Sequence, residues 1–429
     1  MPLNVCLINC AVGVAGFNRN WPSRRPACDR EGSWIGHGIA SVGAAAKAAG
    51  HRVELIDLRQ LPGFERLGQQ IAWTPADVYG LSVSSVDEYA ALMTIAEVKK
   101  NAPNAKVIIG GILPTIFPEK FNFPVVDAII RGEGEVTFPA VLDMIERGEP
   151  FERIQRGEKP HLDMIPWVDR TLFDYRRELE CFFAPGQAVP SVTMLAGRGC
   201  PYACNYCQPA ENAVFGKPYR MRSVDNVMAE LKALKRRYNF KSVTFWDDTF
   251  TFRRDWIFEF CDQWEAERFG ATIAACSRAD IICNHPDMVK RMAQVGVDWF
   301  VIGIESGSQR ILDLIRKGTT VEQNREAIRI CREVGIKVFG TFMLGLPTET
   351  PDESKATIDF INETQPALAS PFWFHPIPGT GIYDYCERHD LILPEAKDYS
   401  IARTGVFVPT IKGIDYDYLK TLMPQLTGF

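Results

Sequence analysis

Residues 199–208 read GCPYACNYCQ and place Cys200, Cys204 and Cys207 in the spacing C-x3-C-x2-C. Structural zinc sites normally have four ligands, often as two paired C-x2-C clusters. Here the other cysteines are single and remote, and none of the six histidines lies nearby. Three thiolates on a four-iron cubane would leave one iron open for an external ligand. The spacing therefore favours a [4Fe-4S] cluster over zinc.

The cysteine loop lies near the start of a regular alternation of strand and helix patterns. Six apolar runs have strand length: VTMLAG (192–197), SVTFWDD (242–248), TIAACSR (272–278), WFVIGIESG (299–307), KVFGTFMLGLP (337–347) and ALASPFWFHP (367–376). Helical patterns separate them, and one at 223–239 has Ser223 as a plausible N-cap. This alternation predicts parallel βαβ units that form a partial (β/α)6 barrel. Functional groups are expected at the carboxyl ends of its strands.

A second alternation occupies residues 1–150. Its strand-like runs are NVCLIN (4–9), HRVELIDL (51–58), DVYGLSVSS (77–85), AKVIIGG (105–111) and VVDAII (125–130). They predict a doubly wound, Rossmann-like α/β domain that binds a ligand beyond the carboxyl ends of its strands. Residues 151–190 are irregular and are expected to be a linker, followed by the barrel at 191–385. Residues 386–429 form a short C-terminal segment with a weak helical signal.

The composition restricts the class of protein. The chain has 429 residues, is 46% hydrophobic and 24% charged, and has a formal net charge of −5. These values are typical of a globular protein with large cores and indicate no basic field for nucleic acid. No apolar run approaches the roughly 18 residues of a membrane span. Because no basic residue precedes Arg19, the apolar start favours a buried strand over a signal peptide, and a cytoplasmic location is expected.

Cys200, Cys204 and Cys207, following the first strand of a partial barrel, resemble the signature of radical S-adenosylmethionine (SAM) enzymes, and Tyr206 also fits that signature. The resemblance implies that the methionine part of SAM chelates the open iron. It also implies that a donor such as flavodoxin or ferredoxin supplies an electron. SAM is then cleaved to methionine and a 5′-deoxyadenosyl radical, which removes a hydrogen atom from an unactivated carbon.

Other strand ends of the barrel resemble the family's SAM contacts. Asp248, or its neighbour Asp247, would accept a hydrogen bond from the methionine ammonium, and Arg278 would bind the carboxylate. Glu305 would reach the ribose or carboxylate region, and Gly345 would shape the turn beside adenine. The structural alternatives are a capping or surface role for the aspartates and a salt bridge to a nearby aspartate for Arg278.

The first 150 residues resemble the cobalamin-binding domain that precedes many radical SAM barrels, and GG…RGEGE is their most distinctive part. The implied contacts with the corrin and its nucleotide tail are Ser82, Ser84, Gly110, Gly111 and Gly132. Neither His37 nor His51 lies in the D-x-H-x-x-G motif that supplies a lower cobalt ligand, so no such ligand is expected. A domain that has lost cobalamin is the alternative.

The combined resemblance implies a cobalamin-dependent radical SAM enzyme that methylates an unactivated carbon of a small molecule or natural product. Within enzymes, the alternative is an oxidative cyclase or rearrangement enzyme in which cobalamin is absent or does not carry methyl groups. From another class, the alternative is a non-catalytic carrier or sensor that binds a corrinoid or a cluster. The expected partners are a small-molecule substrate and an electron donor, with no nucleic acid.

Overall fold

The structure, a computed structural model, describes residues 1–10, 35–181, 184–217, 219–397 and 408–426. The chain divides into two compact units. The first contains Met1–Glu178 together with Ala210–Gly216, and the second contains Leu179–Pro209, Lys217–Asp398 and the C-terminal residues. None of the helices in the described ranges combines the length and hydrophobicity that crossing a membrane requires.

The first unit is built on one parallel sheet of six strands. The strands are β1 (Asn4–Asn9), β2 (Arg52–Asp57), β3 (Val78–Ser82), β4 (Lys106–Gly110), β5 (Ala128–Arg131) and β6 (Ile154–Arg156). The helices are α1 (His37–Ala48), α2 (Phe64–Trp73), α3 (Glu88–Asn101), α4 (Ile112–Ile116), α5 (Thr137–Arg147) and α6 (Tyr175–Leu179). The strand order is β2-β1-β3-β4-β5-β6, which confirms the predicted doubly wound fold.

The first sheet extends beyond the predicted domain. Sequence analysis expects a linker from residue 151, but β6 pairs in parallel with β5 through Ile129 and Ile154. Its three residues, Ile-Gln-Arg, are half-buried or exposed. A strand this short and this open to solvent carries no apolar pattern, so only its hydrogen bonds to β5 identify it.

The second unit contains a six-stranded sheet with the order β14-β13-β12-β11-β10-β7 and a two-stranded antiparallel sheet, β8-β9. The strands are β7 (Ser191–Met194), β8 (Gly197–Arg198), β9 (Arg220–Met221), β10 (Ser242–Phe245), β11 (Thr272–Ser277), β12 (Val297–Glu305), β13 (Lys337–Leu344) and β14 (Leu368–Trp373). The six main strands are all parallel. This arrangement confirms the predicted partial (β/α)6 barrel.

Ten helices accompany these strands in the described residues. They are α7 (Ala210–Phe215, grouped with the first unit), α8 (Val224–Tyr238), α9 (Arg254–Glu267), α10 (Ala279–Asn284), α11 (Pro286–Gln294), α12 (Gln309–Leu314), α13 (Val321–Val334), α14 (Pro351–Thr364), α15 (Gly381–Arg388) and α16 (Tyr416–Leu422). Ser223 caps α8 by accepting a hydrogen bond from the Asn226 amide, as predicted. Val227, Leu231 and Leu234 of α8 are buried in the core that covers the outer face of the sheet.

Candidate functional site

The three predicted cluster cysteines lie on one loop that follows β7 and β8. Cys204 is buried, Cys200 is half-buried and Cys207 is exposed. The amides of Cys207 and Gln208 both donate to the Cys204 carbonyl, at 3.1 and 2.9 Å, which folds the loop into a tight turn. The Cys200 Sγ lies 3.7 Å from the Oγ1 of Thr249, a buried residue that follows β10.

The turn after α12 supports the cysteine loop. The Asn205 amide donates to the Ile315 carbonyl at 3.0 Å. The Asn205 side chain donates to the Leu314 carbonyl at 2.8 Å. These two bonds connect segments more than 100 residues apart in the chain, and they fix the backbone between Cys204 and Cys207.

Arg278, at the end of β11, lies beside the buried cysteine. Its guanidinium donates to Asp280 at 3.0 Å and to the Lys317 carbonyl at 2.8 Å, and a third nitrogen is 3.7 Å from the Cys204 Sγ. The same group stacks on Tyr202, with Cζ 3.5 Å from the ring centroid. The structure therefore gives Arg278 the salt bridge that sequence analysis considers as the alternative. A SAM-carboxylate role for Arg278 stays a prediction.

Glu305 and Lys317, which are both buried, form a polar cluster with the half-buried Tyr206 of the cysteine loop. Lys317 Nζ lies 2.8 Å from the Glu305 Oε1 and donates to the Tyr206 hydroxyl at 3.0 Å. The Tyr206 hydroxyl donates to the same Glu305 oxygen at 2.9 Å. Burial, reinforced by the charge of Glu305, raises the pKa of Tyr206 well above its usual value, so the phenol keeps its proton.

The backbone at the end of β12 aims Glu305 at this cluster. The register between β12 and β13 shifts between Gly303 and Glu305, and Glu305 has a left-handed φ of 67°. A bulge of this kind redirects a side chain relative to the regular pleat. A Cβ at Gly303 would collide with the Glu305 carboxylate and would lie 2.6 Å from Lys317 Nζ, so a side chain there would displace this ion pair.

The two aspartates after β10 have different environments. Asp247 is buried, and its two oxygens accept hydrogen bonds from the Ala196 and Gly197 amides. Burial raises the pKa of Asp247 to about 7. Asp248 is exposed. The geometry therefore gives Asp247 the role of bracing the backbone before the cysteine loop. It leaves Asp248 as the candidate SAM contact, the choice made from the sequence.

Gly345 directly follows β13, in the turn predicted to lie beside adenine. The amides of Gly345 and Leu346 donate to one oxygen of Glu349, at 2.5 and 3.0 Å. Glu349 is buried, and burial raises its pKa to about 7. This carboxyl group closes the turn on itself, which sequence analysis does not anticipate.

The five residues predicted to contact cobalamin lie at the carboxyl ends of three adjacent strands, β3, β4 and β5. They are Ser82, Ser84, Gly110, Gly111 and Gly132, all half-buried. The loops are connected: the Val83 amide donates to the Gly110 carbonyl at 2.9 Å, and the Gly132 amide donates to the Thr115 hydroxyl at 2.8 Å. The structure therefore brings these residues to one edge of the sheet, and cobalamin contact at each stays a prediction.

Gly111 shows how closely the loops pack. It has a φ of +106°, and a Cβ there would lie 2.5 Å from the Val83 carbonyl oxygen and 2.8 Å from its nitrogen.

His51 lies away from these loops. It precedes β2 at the amino end of the same sheet, with Nε2 3.3 Å from Asp143. His51 is thus at the wrong end of the strands to meet a ligand held by these loops.

Comparisons with known proteins agree with this architecture. The family model described as Radical SAM superfamily matches residues 194–361, and the one described as B12 binding domain matches residues 28–142. An uncharacterized methyltransferase of Pyrococcus horikoshii is 31% identical over 362 residues, which cover 80% of this chain and 76% of the relative. The chain belongs to the cobalamin-binding radical SAM family.

Other similar proteins have different reactions in their names. The anaerobic magnesium-protoporphyrin IX monomethyl ester cyclase of Cereibacter sphaeroides is 25% identical, and the match covers 86% of this chain but only 62% of the cyclase.

Two of the similar solved structures illustrate the shared fold. The cobalamin-dependent SAM radical enzyme OxsB has a TM-score of 0.72 at 19% identity, covering 94% of this chain and 63% of OxsB. The radical SAM methyltransferase TsrM of Kitasatospora setae has a TM-score of 0.68 at 17% identity, covering 91% and 75%.

The cysteine thiols and the strand-end loops of this radical SAM protein fit the cofactors of its family, which are a [4Fe-4S] cluster, SAM and cobalamin. The cationic Arg278 lies beside the Cys204 sulfur, which suits a thiolate ligand. At the edge of the first sheet, Gly110 and Gly111 have no side chains, so a ligand can approach their backbone closely.

Sequence analysis misses Lys317, Asn205 and Thr249. Lys317 stands in RKGTT after α12, a stretch with no motif that would relate it to Glu305. Lys317 contacts Glu305 and Thr249 contacts Cys200 through the tertiary fold, and Asn205 joins the cysteine loop to the turn after α12. The only available signal is their proximity to strand ends and turns.

Proposed function

We propose that this radical SAM enzyme transfers a methyl group to an unactivated carbon of a small molecule or natural product, with cobalamin as methyl carrier. The observation that carries the proposal is the similarity to the Pyrococcus horikoshii methyltransferase, which extends over 80% of this chain. The ordered pair of B12-binding and radical SAM matches supports it.

The predicted site residues would have separate roles. Cys200, Cys204 and Cys207 would hold the cluster, and Asp248 and Glu305 would orient SAM. When bound, the cluster supplies the electron for reductive SAM cleavage and cobalamin supplies the methyl group. A small electron-transfer protein such as flavodoxin or ferredoxin would deliver the electron to the site.

The protein's contribution to rate would be positioning. The turn after α12 holds the cysteine loop through two hydrogen bonds that Asn205 donates to its backbone carbonyls. Arg278 donates to the Lys317 carbonyl of the same turn. It also lies against Tyr202 and Cys204 of the loop. Lys317 holds the Glu305 carboxylate in one orientation. Such fixed geometry contributes to catalysis because the reacting groups need no further ordering.

A radical SAM cyclase is the second candidate, since cyclases occur among the similar proteins at 86% coverage of this chain. The products of SAM separate the two reactions. A methyltransferase that uses SAM both as radical source and as methyl source forms 5′-deoxyadenosine and S-adenosylhomocysteine in about equal amounts. A cyclase forms 5′-deoxyadenosine without S-adenosylhomocysteine.

The test uses the full chain, purified without oxygen, reconstituted with iron, sulfide and cobalamin, and given a chemical reductant and SAM with a deuterated methyl group. Iron, sulfide and cobalamin are quantified first, and the two adenosyl products are then followed by mass spectrometry with a panel of candidate substrates. Cys207→Ser should abolish 5′-deoxyadenosine formation, whereas Cys181→Ser, a half-buried cysteine outside the loop, should not. 5′-Deoxyadenosine without S-adenosylhomocysteine or deuterated product, from a cobalamin-loaded chain, would contradict methyl transfer.

A further inference from the structure

The inner face of the second unit's sheet differs in character from its outer face. On β12, Phe300, Ile302 and Ile304 are buried in the helix-covered core, whereas the alternate residues Val301 and Gly303 are only half-buried. The other central strands repeat this two-residue period. Because successive side chains in a strand point to opposite faces, the half-buried residues belong to the inner, concave face.

A dry layer closes the amino end of this inner face. Ala184, Ala274 and Trp299 are buried together, and Phe339 and Leu368 pack against them. Beside this layer the Gln187 side chain donates to the Thr244 hydroxyl at 2.9 Å, and both residues are buried. A ligand on the inner face therefore cannot enter past this layer, and the carboxyl ends of the strands lie on the opposite side of it.

Between that floor and the strand ends, the inner face is uncharged. Adjacent strands place Cys276 and Val301 in one row, beside Phe339 of the floor, and Thr341 and Ser370 in the next. Met343 follows, and all of these side chains are half-buried. Among the described strand residues that alternate onto this face, no Asp, Glu, Lys or Arg lies between the floor and the strand ends.

The charged groups at the strand ends already have partners. Arg278 is paired with Asp280, and Glu305 is paired with Lys317. The Arg278 guanidinium and the Lys317 ammonium are therefore both already paired, and neither can neutralise a negative charge placed deeper on the inner face.

An anionic group placed on the inner face would lose its hydration without gaining a counter-ion. A cationic group would also lose its hydration, and the carboxylates that act on Cys276, Asp247 and Asp248, follow β10 beyond the face. Burial of either charge is therefore unfavourable.

We propose that the inner face takes an uncharged, mainly apolar part of the substrate, whose few polar atoms hydrogen-bond to Thr341 and Ser370. Charged groups of the substrate stay outside, beyond the strand ends. The inference rests on the proposed function only in calling the ligand a substrate. The preference for neutral molecules is a property of the face itself.

Cys276 provides a reporter inside this face. The reconstituted full chain is treated with three methanethiosulfonate reagents of similar size that carry a 2-hydroxyethyl, a 2-sulfonatoethyl or a 2-(trimethylammonio)ethyl group. Peptide mass spectrometry measures the labelling rate at Cys276 and at Cys283, a half-buried cysteine on α10. We expect the ratio of neutral to charged labelling to be at least tenfold higher at Cys276 than at Cys283.

Equal ratios at the two cysteines, faster labelling of Cys276 by a charged reagent, or no labelling of Cys276 by any reagent would each overturn the inference. Val301 is the neighbour of Cys276 on β12 and allows a matched pair of variants. Val301→Asp should accelerate the cationic reagent at Cys276 several-fold and slow the anionic one, whereas the neutral Val301→Thr should do neither. The wild-type comparison remains decisive if Val301→Asp fails to fold.

These labelling rates require no turnover of SAM. A chain that labels as expected but forms no methylated product would contradict the proposed function alone. A chain that methylates but labels Cys276 without charge preference would contradict this inference alone.

Discussion

Lys317 Nζ lies 2.8 Å from the Glu305 Oε1, and the two side chains are only 6% and 9% exposed. The pair joins the turn after α12 to the end of β12, and Tyr206 adds the cysteine loop to the same contact. One buried charge pair thus connects three segments of the candidate site.

Lys317→Met should destabilise the second unit by about 3–5 kcal/mol, because it leaves the Glu305 carboxylate buried without a counter-ion. Urea unfolding followed by tryptophan fluorescence measures the change. The double variant Lys317→Met, Glu305→Gln should lose much less free energy of unfolding than Lys317→Met alone, since no buried charge remains. Lys355→Met, in an exposed pair with Asp359, is the control and should have no measurable effect. Additive effects in the double variant would show that the pair is not coupled.

Arg278→Gln should lower the iron content of the reconstituted chain several-fold, because the guanidinium holds the Lys317 carbonyl and lies beside Cys204. If Arg278 acts only through these contacts, the SAM dissociation constant of the protein that retains its cluster should change less than about threefold, or about 0.7 kcal/mol. Iron analysis and equilibrium dialysis measure the two quantities. Unchanged iron with SAM binding weakened more than tenfold would instead assign Arg278 to the SAM carboxylate.

The two aspartates after β10 should respond differently to the same change. Asp247→Asn should destabilise the chain by about 1–3 kcal/mol, since an amide has one acceptor oxygen for the two backbone N–H groups that Asp247 binds. Asp248→Asn should leave the melting temperature unchanged and weaken SAM binding about tenfold, or about 1.4 kcal/mol. Thermal melts and dialysis test both. Reversed behaviour would make Asp247 the SAM contact.

Glu349 predicts a pH dependence of stability. Burial raises its pKa from 4.5 to about 7. Between these two pH values the unfolded chain has an ionised Glu349 and the folded chain a protonated one. The contribution of Glu349 to stability therefore falls as the pH rises from about 4.5 to 7, by at most about 3 kcal/mol, and then levels off.

Glu349→Gln should remove that dependence. The Gly345 and Leu346 amides share a single Glu349 oxygen, so the glutamine carbonyl can accept both bonds. The variant should match the parent near pH 5 and exceed it in stability at pH 8. Urea unfolding at the two pH values measures this, and equal stability of the two proteins at pH 8 would contradict the shifted pKa.

Gly111→Ala should destabilise the first unit and weaken cobalamin binding, because the new Cβ would collide with the Val83 backbone. We expect a loss of about 1–3 kcal/mol beyond the effect of the positive φ alone. Gly50→Ala, at a position whose φ of +98° is close to that of Gly111 but with no atom within 4 Å of the new Cβ, is the matched control. Cobalamin absorbance after gel filtration measures binding, and equal effects of the two variants would show that the close contact is unimportant.

The sequence by itself determined the two alternating α/β patterns and the cysteine loop. A run such as WFVIGIESG is apolar enough to specify a strand locally. The spacing of Cys200, Cys204 and Cys207 places three thiols in one short loop. The helix start at Ser223 is equally local, since a side-chain oxygen caps an amide three residues away.

Only the tertiary structure decided which charges neutralise one another. Lys317 meets Glu305 across a turn, Asp247 rather than Asp248 turns inward, and β6 joins the first sheet through hydrogen bonds without an apolar pattern. Each outcome depends on groups far apart in the chain that meet only when the sheets form. A local pattern can specify a strand or a turn, but the partner of a buried charge is fixed by long-range packing, because that packing removes the competing water.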